Sequence, residues 1–170
     1  MEYLIKYSPH LRGKEQNIYD LKGELLLTIT KKLDSISGKE IICDGENNVV
    51  YLVDTTERKA QHQSIIYDAT SKEILTAYLS NTYSGINLYV SSPSKTYAVT
   101  HKKDMSAIHL YHNNEIVATI KLKKTLFGTN YSLDVKPQKD EAFIHLFAIV
   151  ITKLIEYKAE SLQSADAYAY

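Results

Sequence analysis

The chain has no tryptophan, one cysteine, three prolines and six glycines in 170 residues. A single cysteine, Cys43, excludes a disulfide framework and a cysteine-based metal site and suits a reducing cytoplasm. Net charge is missing as well, since 20 Lys and Arg balance 20 Asp and Glu. That balance argues against bulk nucleic-acid binding, which needs a strongly basic surface, and leaves room only for a local patch. No apolar run is long enough to span a bilayer. The longest, Ala142–Ile151, is about half of the ~20 residues required. The opening segment, Met1-Glu-Tyr-Leu-Ile-Lys-Tyr7, is too short and too soon interrupted to be a signal peptide. Catalytic signatures are also lacking. There is no Gly-x-Ser-x-Gly, and Ser37-Gly-Lys39 lacks the upstream Gly and following Ser/Thr of a phosphate-binding loop.

Alternation is what the first 136 residues do contain. In Glu115-Ile-Val-Ala-Thr-Ile-Lys-Leu-Lys123 one face takes Ile116, Ala118, Ile120 and Leu122, and the other takes Val117, Thr119, Lys121 and Lys123. Period two is a strand with one buried face. The 14 tyrosines fit the same reading, because a tyrosine at a half-buried sheet position packs its ring and wets its hydroxyl. Twelve strands are expected, at about 3–7, 15–20, 24–31, 39–43, 48–54, 62–68, 73–80, 86–91, 97–102, 106–112, 115–123 and 129–136. Turn chemistry separates them: Asp20-Leu-Lys-Gly23 suits a type I turn, Asp44-Gly45 and Asn113-Asn114 suit tight hairpins, and Pro9, Ser84-Gly85, Pro93 and Pro137 mark further breaks. A hairpin theme recurs at Ile18–Thr28, Ile66–Thr76 and Leu110–Thr119, its tyrosines about 45 residues apart, without the strictness of a solenoid or propeller.

The segment Asp140–Tyr157 differs from everything before it. From Ala142 to Ile151 its only polar residue is His145, so a helix here is apolar on all sides and is either buried all round in protein, the reading its short apolar run favours, or set in lipid. Asp140 is the expected N-cap, with Glu141 in the first turn. About twelve strands closed into a barrel leave room for one helix, whereas eight would be filled by their own side chains. The expected fold is therefore mainly β, α+β by strict count: a closed antiparallel barrel of about twelve strands around a C-terminal apolar helix. The barrel domain takes residues 1–158, with its helix at about 140–157. Residues 159–170 are expected to form a flexible tail, either frayed helix or disorder.

The Tyr-Asp hairpins at Ile18–Thr28 and Ile66–Thr76, the Tyr97-Ala-Val-Thr100 strand, and Asp134-Val-Lys-Pro137 leading into Phe143–Tyr157 resemble the tubby C-terminal-like superfamily. The similarity is to its small bacterial members, related to LURP-one proteins and phospholipid scramblases, and it covers residues 3–157 in pattern. It implies a twelve-stranded barrel around a central helix. It also implies a lipid theme, since tubby proteins bind phosphoinositides through a basic patch and scramblases act on lipids and bind calcium. The cysteine-rich palmitoylation segment of scramblases is missing here. Asp68-Ala-Thr-Ser-Lys-Glu73 lacks the alternating oxygen ligands of a calcium loop. No phosphoinositide-binding residue of the superfamily matches a position of this chain.

Lys102, Lys103, Lys121, Lys123 and Lys124, with Lys95 nearby, form the best charged cluster, faced only by Asp104 and Glu115. They suit anionic lipid head groups or another phosphate; equally, lysines guard the outside of many sheets. His145 is either a neutral histidine satisfied inside or near an open end of the barrel, or a polar group in an internal cavity. His109 and His112 fall on opposite strand faces, and His10, His62 and His101 are scattered, so no metal and no cofactor is expected. Asp44 and Glu46 read as a hairpin tip and Cys43 as a buried thiol. The chain is read as a non-enzymatic cytoplasmic binding or scaffold protein, peripheral at a membrane. Its expected partner is anionic lipid or another protein, with no nucleic acid and no transmembrane span. The alternative is a small-molecule carrier or enzyme using a cavity beside the helix.

Overall fold

Alternating polarity produces twelve strands in the computed structural model, which describes residues 1–8, 15–33, 39–58, 61–82, 85–93, 95, 97–125, 128–137 and 141–167. They are β1 (Glu2–Ser8), β2 (Glu15–Tyr19), β3 (Leu25–Leu33), β4 (Glu40–Asp44), β5 (Val49–Arg58), β6 (Gln61–Tyr67), β7 (Glu73–Thr82), β8 (Gly85–Ser91), β9 (Tyr97–His101), β10 (Ala107–His112), β11 (Glu115–Thr125) and β12 (Gly128–Val135). One helix follows, α1 (Glu141–Ala167). Pro9, His10, Ser84 and Asp140 lie outside the described residues.

All pairings are antiparallel. Each strand lies beside its neighbour in sequence, except that the sheet also pairs β1 with β12 and ends at β8 and β9. Those two edges lie side by side, and their connection holds a single bridge, Ser92 with Lys95. The barrel is therefore nearly closed where full closure was expected. Pro93, which has no N–H to donate, stands in that connection.

The core is the space between the barrel wall and α1. Strand β6 alternates strictly, with His62, Ser64 and Ile66 buried and their neighbours less so. Ile5, Ile18, Ile42, Val53, Ile66 and Leu75 are fully buried from the wall side. From the helix side Ile144, Phe147, Ala148, Ile149, Val150 and Ile151 are fully buried too. The apolar first half of α1 thus packs into the apolar part of the wall. α1 starts where β12 ends and runs back along it, so that Glu156 meets Tyr131 of β12. It continues ten residues past the expected end at Tyr157. No Gly or Pro interrupts it there, and Ala159, Ala165 and Ala167 favour helix.

The two barrel ends differ in their turns. The upper end, where α1 begins, carries the β2–β3, β4–β5 and β6–β7 turns. Asp20, Asp44 and Asp68 open these turns at a constant interval of 24 residues. Each aspartate accepts two backbone N–H groups through Oδ1: Lys22 and Glu24 at 2.9 and 2.8 Å, Glu46 and Asn48 at 3.0 and 2.9 Å, Thr70 and Lys72 at 2.8 and 3.0 Å. The third residue after each, Gly23, Asn47 or Ser71, has positive φ. The hairpin theme is therefore a tighter repeat than the tyrosines suggested. Its middle copy is hidden because Cys43 stands where Tyr19 and Tyr67 stand. In that copy the left-handed residue is Asn47, so Asp44-Gly45 is not itself a two-residue turn. Asn113 and Asn114 both have positive φ, as a type I′ hairpin requires.

Candidate functional site

Of the lysines singled out in the sequence, Lys102, Lys103, Lys121, Lys123 and Lys124 fall at the lower end of the barrel and on its outer wall, whereas Lys95 stands in the β8–β9 connection at the opposite end and does not join them. Lys102 and Lys103 occupy the β9–β10 turn, closed by the Met105 N–H donating to the Lys102 carbonyl at 2.9 Å. The Lys102 N–H donates to the Ala107 carbonyl at 2.9 Å, and Ala107 pairs with Lys121, which pairs with Ser132. Lys102 and Lys121 therefore share one transverse row, two strand spacings or about 10 Å apart. Lys123 pairs with Asn130, which pairs in turn with Lys6 of β1. Lys121 and Lys123 are exposed and, among the described residues, form no ion pair. Lys124 takes the next register position, opposite Thr129.

The result is a shallow polar floor, Ser132 and Asn130, bordered by Lys121 and Lys123 on one side and Lys6 on the other. Lys6 is exposed, with its ammonium 4.9 Å from the centre of the Tyr19 ring. It was not among the residues the sequence pointed to. It enters the patch through the pairing of β1 with β12, at opposite ends of the chain. Asp104, the one acid in the β9–β10 turn, accepts the Ser106 N–H at 3.0 Å. The side-chain and backbone hydrogen bonds from Ser106 hold its carboxyl below the usual carboxylate range.

His145 lies at the opposite, upper end. It lines a cleft of about 510 Å³ with Tyr3, Asp20, Leu21, Lys22 and Glu141, of which Leu21 is exposed. The Tyr3 ring meets the imidazole edge-on, centroids 4.4 Å apart and planes at 77°. Nε2 is buried and has no hydrogen-bond partner among the described residues. Burial pushes the imidazole below its ordinary pKa, and Glu141 one turn away only partly offsets this. His145 is therefore neutral near pH 7.

A third polar region lies inside, around the second half of α1. Lys153 of the helix forms an ion pair with Glu40 of β4. Glu40 also accepts the Thr55 hydroxyl at 3.4 Å, and Thr55 lies 3.2 Å from the Ser64 hydroxyl. Tyr131 donates to the Glu156 carboxylate at 2.5 Å. Gln16, Glu40 and Ser64 each stand four residues before one of the repeated turn aspartates. That recurrence was the sequence signal for this belt, and it passed unread. Gln16 is 1% exposed, and its amide has no hydrogen-bond partner among the described residues. Among the described residues no group of His, Cys, Asp and Glu is arranged to hold a metal. No described helix is long and apolar enough to cross a membrane.

A nearly closed antiparallel barrel of twelve strands, filled by one C-terminal apolar helix, places the protein among the tubby-like barrels. Among solved structures the chain is similar to a protein of Arabidopsis thaliana determined by X-ray crystallography, with TM-score 0.56 and 16% identity over 90% of this chain and 91% of that one. At that identity the likeness speaks for the fold alone. The LURP-one-related family profile matches residues 3–152, and the chain belongs to that family. No curated protein matches it in sequence.

Proposed function

We propose that this is a non-enzymatic binding protein that engages anionic lipid head groups through the lysine face at the lower end of the barrel. The observation that carries the reading is the register. Strands β1, β11 and β12 gather Lys6, Lys121 and Lys123 round Ser132 and Asn130, and Lys102 lies on the same row as Lys121. Residues more than 110 apart in sequence thus form one patch that a strongly charged composition did not force. The patch is open and shallow, which suits a surface of charges better than a small buried substrate.

Each lysine near an anionic membrane is worth about 1 kcal/mol, so removing two lowers affinity roughly 30-fold. The test is co-sedimentation with anionic and with neutral vesicles, at low and high salt, for the natural chain and for Lys121→Ala/Lys123→Ala. Binding that is selective for anionic vesicles and fades with salt and with the substitutions supports the reading. Absence of binding to anionic vesicles at low salt refutes it and moves weight to a protein partner.

The cleft beside His145 favours a second reading, a small-molecule carrier. Its volume lies in the range of ligand pockets. Native mass spectrometry of the purified protein tests for a retained molecule.

A further inference from the structure

Neutral composition conceals a sorting of charge along the barrel axis. At the upper end the turns carry Asp20, Glu24, Asp44, Glu46, Asp68 and Glu115. The ends of β1 and β12 and the starts of β7 and α1 add Glu2, Asp134, Glu73 and Glu141. Among the described residues only Lys22, Lys72, Lys95, Lys136 and the terminal amine stand with them. At the lower end Lys6, Lys102, Lys103, Lys121 and Lys123 meet Glu15 and Asp104. Glu40 and Glu156 turn inward to Lys153 and Tyr131 and do not face that surface.

We infer that the barrel meets an anionic bilayer end-on, with its lower, lysine-rich end on the lipid and its acidic upper end, cleft included, directed away. This rests on the lipid-binding reading above and adds a direction to it. β11 spans 11 residues, about 37 Å along the strand at ~3.4 Å per residue. With a barrel tilt of ~40° the ends stand roughly 28 Å apart, about three Debye lengths at physiological salt. Each end therefore interacts with a charged plane nearly independently of the other. An anionic surface attracts the lower end and repels the upper one, and a side-on approach brings both together and gains little. The dipole of α1 runs the other way, but it amounts to about half a charge at each end and fades within a turn. The lysines are spread over two strands and a hairpin turn, which matches a planar array of head groups.

The test places a fluorophore on single cysteines, Glu15→Cys at the lower end and Glu46→Cys at the upper, each in a Cys43→Ala background. The probe is a phosphatidylserine–phosphatidylcholine vesicle carrying a nitroxide on its head groups. Quenching at position 15 and none at position 46 is expected. Charge reversal on the natural chain provides a second measurement that needs no labelling. Lys103→Glu lowers vesicle affinity roughly 30-fold, two units of charge at about a factor of five each, while Glu46→Lys changes it less than about twofold. Equal quenching at both positions, or a Glu46→Lys gain as large as the Lys103→Glu loss, overturns the orientation while vesicle binding itself stands. No binding by the natural chain overturns both.

Discussion

Replacing Phe147 with alanine measures whether the barrel wall really encloses α1. Phe147 is completely buried, midway along a stretch whose neighbours Leu146, Ala148, Ile149 and Val150 are also buried. Its loss removes apolar surface from the core and leaves a cavity, because twelve hydrogen-bonded strands cannot collapse inward to fill it. Truncations of this type cost about 3–5 kcal/mol, a large part of the roughly 5–15 kcal/mol that holds a domain together. At roughly 2–4 °C per kcal/mol for a chain of this size, the melting temperature falls by about 6–20 °C. Urea unfolding followed by tyrosine fluorescence reads the same quantity, since the chain has no tryptophan. Ala142, on the same helix but exposed, supplies the control: Ala142→Ser shifts stability by less than about 0.5 kcal/mol. A cost below about 1 kcal/mol for Phe147→Ala, or equal costs at the two positions, refutes the enclosed helix.

Three further perturbations test particular contacts. Gly45→Ala drives its new Cβ into the Leu25 carbonyl oxygen; it should cost about 1–3 kcal/mol in urea unfolding, and an unchanged midpoint sinks the close approach. Tyr131→Phe removes the hydroxyl that donates to Glu156. A hydrogen bond to a carboxylate contributes about 1.5–3 kcal/mol, so a loss under about 0.5 kcal/mol in the same assay shows that the bond is not formed in solution. His145 is held below its ordinary pKa by burial, so the unfolded chain takes up its proton first as pH falls. Its contribution to stability is full above about pH 6.5 and declines below it. Unfolding midpoints at pH 7.5 and 5.5 should therefore differ less for His145→Phe than for the natural chain, and equal differences refute the assignment.

Strand number and helix burial were legible because both depend on local pattern. Period-two alternation in Glu115–Lys123 places Lys121 and Lys123 on one face whatever β11 pairs with. An apolar run with one histidine demands an enclosure whichever strands provide it. Beyond Tyr157 the sequence left frayed helix and disorder both open, and α1 runs on to Ala167, since nothing among those polar residues stops a helix. Lys6 was missed because its role comes from a partner strand at the far end of the chain. The Asp44 hairpin was misread because its left-handed residue is Asn47, not Gly45.

The sequence by itself thus determined twelve strands, an enclosed helix and two lysines on one strand face, since each follows from residues within a few positions of one another. Tertiary structure alone decided which lysines share a patch, that Lys153 meets Glu40, and that acids and bases part to opposite ends. Those outcomes depend on pairing β1 with β12 and on the up-and-down path of the chain. Strand pairing of that range is set by closing the sheet around the helix, and no local spacing records it.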